Sequence, residues 1–187
     1  MSRTEIENSP MMSRRQFLLA STAALATLAS PVVRARPGRA DERRLRFYNL
    51  HTGEQLSATY WIEGQYIPEE LAAINHVLRD HRTDTVASID KRLLNQLSVL
   101  QHNINYNGHI HVISGYRSPK TNARLQHTST GVAKRSLHMQ GRAIDLRLPG
   151  IELKQLRQVA LAMHAGGVGY YPKSDFIHLD TGRARFW

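Results

Sequence analysis

There is no cysteine anywhere in the 187 residues. A chain without cysteine has no disulfide staple, so its fold must come from an apolar core. The same absence removes thiolate nucleophiles and cysteine-based zinc sites, leaving only His, Asp and Glu to hold a metal. Hydrophobic residues make up 41% of the chain, an ordinary globular share, and the length suits one domain. The formal net charge of +10 draws the protein toward polyanions. Its basic residues are scattered and sit on no recognisable nucleic-acid-binding element, so nucleic acid is not the expected partner.

The first 35 residues read as an address. Arg14 and Arg15 precede an apolar run from Phe17 to Leu28 that is rich in Ala and Leu, a basic n-region followed by an h-region. The pair with Phe17 and Leu18 resembles the twin-arginine export signal, which makes the export machinery a partner and the periplasm the destination. The run is shorter than the roughly 20 apolar residues of a membrane span, so no stable span is expected in the mature form. Cleavage falls after Ala35 or after Ser30.

Residues 36–44 are rich in Pro, Gly, Asp and Arg and read as a flexible lead-in to one folded domain over 45–187. Aromatic and β-branched residues across 45–67, with turns at His51–Glu54 and Glu63–Gly64, predict strands or hairpins. Pro68-Glu69-Glu70 opens a helix bearing Leu71, Ile74, Val77 and Leu78. Ser88 or Asp90 caps a second, with Leu93, Leu94, Leu97 and Leu100 on one face. Strand patterns recur at 109–114, 143–148, 168–171 and 176–179. A short helix is expected from Ser118-Pro119 through Leu125, and an amphipathic one over 151–164, ended by Gly166-Gly167. Interleaved short strands and helices give an α+β class with a small, mostly antiparallel sheet flanked by helices.

The chemistry concentrates in the C-terminal half. His138 and Asp145 lie in Ser136-Leu-His-Met-Gln-Gly-Arg-Ala-Ile-Asp145, and His178 lies in Asp175-Phe-Ile-His-Leu-Asp180. Two imidazoles and a carboxylate match a catalytic zinc, which keeps one position open for water. Asp145 alternates within a strand pattern, and Asp180 shares a strand face with His178. No Gly-x-Ser-x-Gly elbow accompanies them.

Three segments carry a resemblance: Ser114-Gly-Tyr-Arg117-Ser-Pro119, then Ser136-x-His138-x2-Gly141-Arg-Ala-Ile-Asp145, then Phe176-Ile-His178-Leu-Asp180-Thr-Gly182. In that order they resemble the peptidoglycan metallopeptidases related to D-Ala-D-Ala carboxypeptidases, nearest the murein endopeptidase K branch, over most of residues 45–187. The resemblance implies a fold of the D-Ala-D-Ala peptidase and hedgehog kind. It implies one zinc per chain, held by His138, Asp145 and His178. It implies Asp175 as the general base, with Asp180 as the competing candidate or a group behind His178, and Arg117 as the residue that binds substrate or steadies the oxyanion. The implied activity is zinc-dependent hydrolysis of peptidoglycan crosslinks containing meso-diaminopimelate, the 3–3 link favoured over the 4–3 link. The alternatives are a D,D- or L,D-carboxypeptidase of the same family and a non-catalytic wall-binding module.

Overall fold

A computed structural model of the chain describes residues 41–128 and 133–187. The stretch read as an export signal and most of the stretch read as a lead-in lie outside the described residues. Strand β1 (Glu42–Asn49) begins inside the stretch read as lead-in and pairs with β2 (Gln55–Ile62) as an antiparallel hairpin. A two-residue strand β3 (Gln65–Tyr66) closes that edge. Helix α1 (Pro68–Val77) starts at the expected proline, with Glu69 and Glu70 in its first turn. Helix α2 (Lys91–Ile104) is capped by Asp90, whose side chain accepts from the Arg92 N–H. Then come β4 (Ile110–Ser114), α3 (Pro119–Thr128), β5 (Ala143–Arg147), α4 (Leu153–Ala162), β6 (Gly167–Tyr171), β7 (Phe176–Asp180) and β8 (Arg185–Phe186). No helix among the described residues is long and apolar enough to cross a membrane.

The α+β class holds, but the expectation of a mostly antiparallel sheet is corrected. The eight strands form one mixed sheet in the order β3-β2-β1-β4-β5-β7-β6-β8. Strand β4 runs parallel to β1, and β8 runs parallel to β6. The first parallel pair has a clear cause: two helices intervene between the β1–β2 hairpin and β4, and a helical crossover brings a strand back in the same direction. That pairing joins residues about 60 positions apart, beyond the reach of local patterning.

Alternation along the strands separates two faces. Ile144 and Leu146 of β5, with Ile177 and Leu179 of β7, enter a core completed by Leu93, Leu94, Leu97 and Leu100 of α2 and Leu156 and Ala160 of α4. The leucines of α2 recur at three- and four-residue spacing, so one helix face supplies them all. Asp145 and Arg147 on β5, and His178 and Asp180 on β7, therefore project from the opposite face. The polar chemistry stands on a floor whose underside is packed hydrocarbon, and this restricts how far its side chains can drift.

Candidate metal centre

The sheet register aligns the site. Ser114 on β4 stands opposite Asp145 on β5, Asp145 opposite His178 on β7, and His178 opposite Gly169 on β6. One rung across four strands thus sets Asp145 and His178 side by side, although 33 residues separate them. His138 reaches them from a 3-10 turn, Leu137–Gln140, which ends at Gly141 with φ +63°. A side chain at Gly141 would collide with the Ser88 backbone carbonyl, so glycine is required there for both space and conformation.

The three side chains are buried, with exposures of 3% for His138, 8% for Asp145 and 9% for His178. His138 Nε2 lies 3.2 Å from His178 Nδ1 and 3.3 Å from Asp145 Oδ1, and His178 Nδ1 lies 2.8 Å from that oxygen. Ligands about 2.0–2.2 Å from a tetrahedral zinc stand about 3.3–3.5 Å apart, so the triangle fits such an ion with only a small outward adjustment. The ligand atoms of these three residues all lie within 4.8 Å of one another, a group that could hold a metal ion.

The remaining nitrogens of both imidazoles are engaged, and this fixes which nitrogen faces the centre. His138 Nδ1 contacts the Gly115 carbonyl oxygen at 2.7 Å, so it carries the proton and donates. His178 Nε2 lies 3.0 Å from Asp180 Oδ2. Asp180 has a fully buried side chain. Its Oδ1 accepts from the Gly167 and Gly182 N–H groups, and Arg185 donates to both oxygens, at 3.0 and 2.7 Å. Every lone pair of Asp180 that faces protein is in use, and its form is that of an anchor behind His178. Asp180→Ala is expected to weaken metal binding about 10–100-fold and to destabilise the fold by about 3 kcal/mol, since it strands buried donors. Zinc titration and thermal melts of the same variant check both effects.

Charge is concentrated here. Burial penalises the Asp145 carboxylate, but His138 and His178 outweigh it and hold its pKa well below the usual range. Burial would lower His178, but hydrogen bonds to Asp145 and Asp180 push it from 6.5 up to about 9. The metal-free site therefore keeps a proton on His178 through neutral pH, and a metal must displace it. Metal affinity is expected to rise about tenfold per pH unit up to about pH 9 and then level off. Competition with a chelator across that range measures the slope, and a flat profile would contradict it.

A cleft of about 390 Å3 opens over the triad and is also lined by Arg117, Tyr171, Phe176 and Trp187. The Arg117 side chain is only 12% exposed, with Nη2 3.7 Å from Asp145 Oδ2. Its Nε is buried without a hydrogen-bond partner among the described residues, and its contacts to Ser114 Oγ (3.4 Å) and Asn122 Oδ1 (3.5 Å) are long. A desolvated guanidinium with unused donors suits an incoming oxygen anion.

Asp175 is placed differently. It sits at φ +53° just before β7, its side chain is 63% exposed, and its Oδ2 accepts from Arg147 Nη1 at 2.9 Å. It lines a neighbouring hollow with Arg147 and His111 rather than the cleft over the triad. His111 of β4 belongs to that hollow as well.

Sequence reasoning missed the tail. Arg185 and Trp187, two residues apart, fall on one face of β8 and its continuation, and both line the cleft. The Trp187 indole lies 5.2 Å from the His178 ring between centroids and donates to the Tyr171 hydroxyl at 2.8 Å. Gly169 makes room for that indole, which a side chain there would strike. The alternation Arg183-Ala-Arg185-Phe-Trp187 is the sequence signal that could have found them, although such a tail reads equally as one that closes the fold or covers an edge.

Residues 38–187 match the family described as Peptidoglycan L,D-endopeptidase MepK. The Peptidoglycan L,D-endopeptidase MepK of Escherichia coli strain K12 is 48% identical over 166 residues, covering 89% of this chain and 86% of the relative. The Probable peptidoglycan L,D-endopeptidase MepK of Haemophilus influenzae is 42% identical over 146 residues, covering 78% of each.

Proposed function

The chain belongs to the peptidoglycan L,D-endopeptidase MepK family, and from that premise we propose that it is an exported zinc peptidase that hydrolyses peptide crosslinks of peptidoglycan. The observation that carries the reading is the buried triangle of His138 Nε2, Asp145 Oδ1 and His178 Nδ1, with the other nitrogen of each imidazole already engaged. The donor set of two neutral imidazoles and one carboxylate suits zinc and leaves a net positive centre. When bound, the ion supplies the Lewis acidity that activates water and polarises a peptide carbonyl.

The chain's own residues supply the rest. Arg117 receives the charge that develops on the carbonyl oxygen through its Nη groups, whose contacts to Ser114 and Asn122 are long. Asp175 takes the proton of the attacking water and returns it to the leaving amine. For this its carboxylate turns away from Arg147, a small cost for an exposed pair. Asp180, held by Arg185 and two backbone N–H groups, keeps His178 in orientation instead of moving protons. Residues 1–35 direct twin-arginine export to the periplasm. The crosslink contains meso-diaminopimelate, with the 3–3 link as the first candidate.

The test is digestion of crosslinked peptidoglycan by the purified chain with and without a chelator, alongside zinc quantification and mass spectrometry of the fragments. About one zinc per chain and chelator-sensitive loss of dimers are expected, and the dimers that vanish name the bond. Zinc binding with trimming of terminal residues alone would make the protein a carboxypeptidase. Absence of both zinc and cleavage would leave a wall-binding module.

A further inference from the structure

Beside the cleft is a second hollow of about 240 Å3, lined by His111, Arg147, Asp175 and the turn Leu148–Ile151. It occupies the same face of the sheet as the metal centre. Asp145 and Arg147 are two residues apart on β5, so their side chains point the same way about 6–7 Å apart. His111 stands directly opposite Arg147 across the β4–β5 ladder and extends that face. The Nδ1 of His111 is buried with no hydrogen-bond partner among the described residues. Among the described residues the only acid lining the hollow is Asp175, which holds the Arg147 guanidinium at 2.9 Å. The hollow thus holds one guanidinium balanced by one carboxylate, the side chain proposed as general base, and it becomes cationic when that carboxylate turns away.

We infer that this hollow is a carboxylate subsite: a free carboxylate of the peptide, borne one residue from the scissile bond, docks on Arg147 and takes the place of Asp175. This rests on the peptidase reading and deepens it. The spacing is the reason for placing the anion there. An extended peptide advances about 3.3 Å per residue, so a group bound near Asp145 and a carboxylate one or two backbone steps away span the distance to Arg147. Diaminopimelate suits such a recess, because the carbon whose amine forms a crosslink also carries a free carboxylate. Arginine offers that carboxylate a two-pronged fork that the single contact with Asp175 leaves partly unused. The exchange also sets an order of events. Asp175 is held on Arg147 until the anionic substrate arrives, and docking releases it when there is a bond to cut.

Equilibrium binding to the zinc-loaded full chain tests the subsite without relying on turnover. The probes are an uncrosslinked diaminopimelate-containing stem peptide and the same peptide amidated only at the diaminopimelate carboxylate on the carbon that bears the crosslinking amine. The wild-type chain should bind the free acid about tenfold more tightly than the amide. Arg147→Gln should reduce that preference to less than about twofold, and Arg147→Lys should keep part of it. Asp175→Asn removes the internal competitor and should bind the free acid more tightly than wild type, a gain that a misfolded variant cannot produce. Equal preference in wild type and Arg147→Gln would overturn the subsite, and unchanged or weaker binding by Asp175→Asn would overturn the exchange. A chain that cleaves dimers yet ignores amidation keeps the peptidase reading and loses the subsite. A chain that shows the binding pattern and cleaves nothing does the reverse.

Discussion

Asp145→Asn is expected to leave a folded protein that holds no zinc and turns over no peptidoglycan. The substitution keeps the shape of the side chain and removes the one anion of the proposed ligand set. A neutral amide oxygen is a poor zinc ligand, and the two remaining imidazoles would hold the ion weakly. Loss of a partner behind a ligand commonly costs about 10–100-fold in affinity or activity, so loss of the ligand itself should cost at least about 100-fold relative to wild type in either assay. The same carboxylate contacts both imidazoles and lies 3.7 Å from Arg117. Without it, only Asp180 opposes the burial penalty on His178, which then gives up its proton at lower pH than in the native metal-free site. Metal analysis, dimer digestion and a circular dichroism spectrum on one preparation decide the matter. A variant that retains one zinc per chain and cleaves dimers would remove Asp145 from the ligand set.

The proposed ligands were legible because each sits in a short motif with its own local logic. Asp145 alternates with Ile144 and Leu146 in a strand, and His178 alternates with Ile177 and Leu179, so a polar residue amid apolar neighbours marks the face opposite the core. What joins the motifs was not legible. The rung from Ser114 through Asp145 and His178 to Gly169 depends on β7 inserting between β5 and β6, a pairing order that no local pattern encodes. The parallel β1–β4 pair is hidden for the same reason, because two helices separate its partners in sequence.

The distinction between the two acids flanking His178 was also out of reach from spacing. Asp175 and Asp180 are both close in sequence to His178, three residues before and two after. Only the tertiary partners separate them. Asp180 is enclosed by Arg185 and the Gly182 N–H group of the C-terminal stretch and by the Gly167 N–H group at the start of β6. Asp175 lies in solvent with one arginine. A carboxylate that must accept and return a proton during each turnover needs freedom to move and lone pairs to spare, and a carboxylate that orients a ligand needs neither.

That difference makes Asp175→Asn the most discriminating single substitution. Turnover of crosslinked dimers should fall by about 100-fold or more, the usual loss when a positioned general base is removed. Zinc content should not change, because Asp175 contacts neither imidazole nor Asp145 and lies outside the cleft that they line. Stability should change by less than about 1 kcal/mol, since the only ion pair lost is the exposed one with Arg147. The combination of full metal, unchanged melting temperature and lost turnover cannot arise from a folding defect or from a damaged metal centre. Full activity in this variant would remove Asp175 from proton transfer. Asp180 could not simply inherit the role, because taking up a proton there would break its hydrogen bonds with Arg185 and His178 together. The base would then have to be sought among the side chains that line the cleft itself.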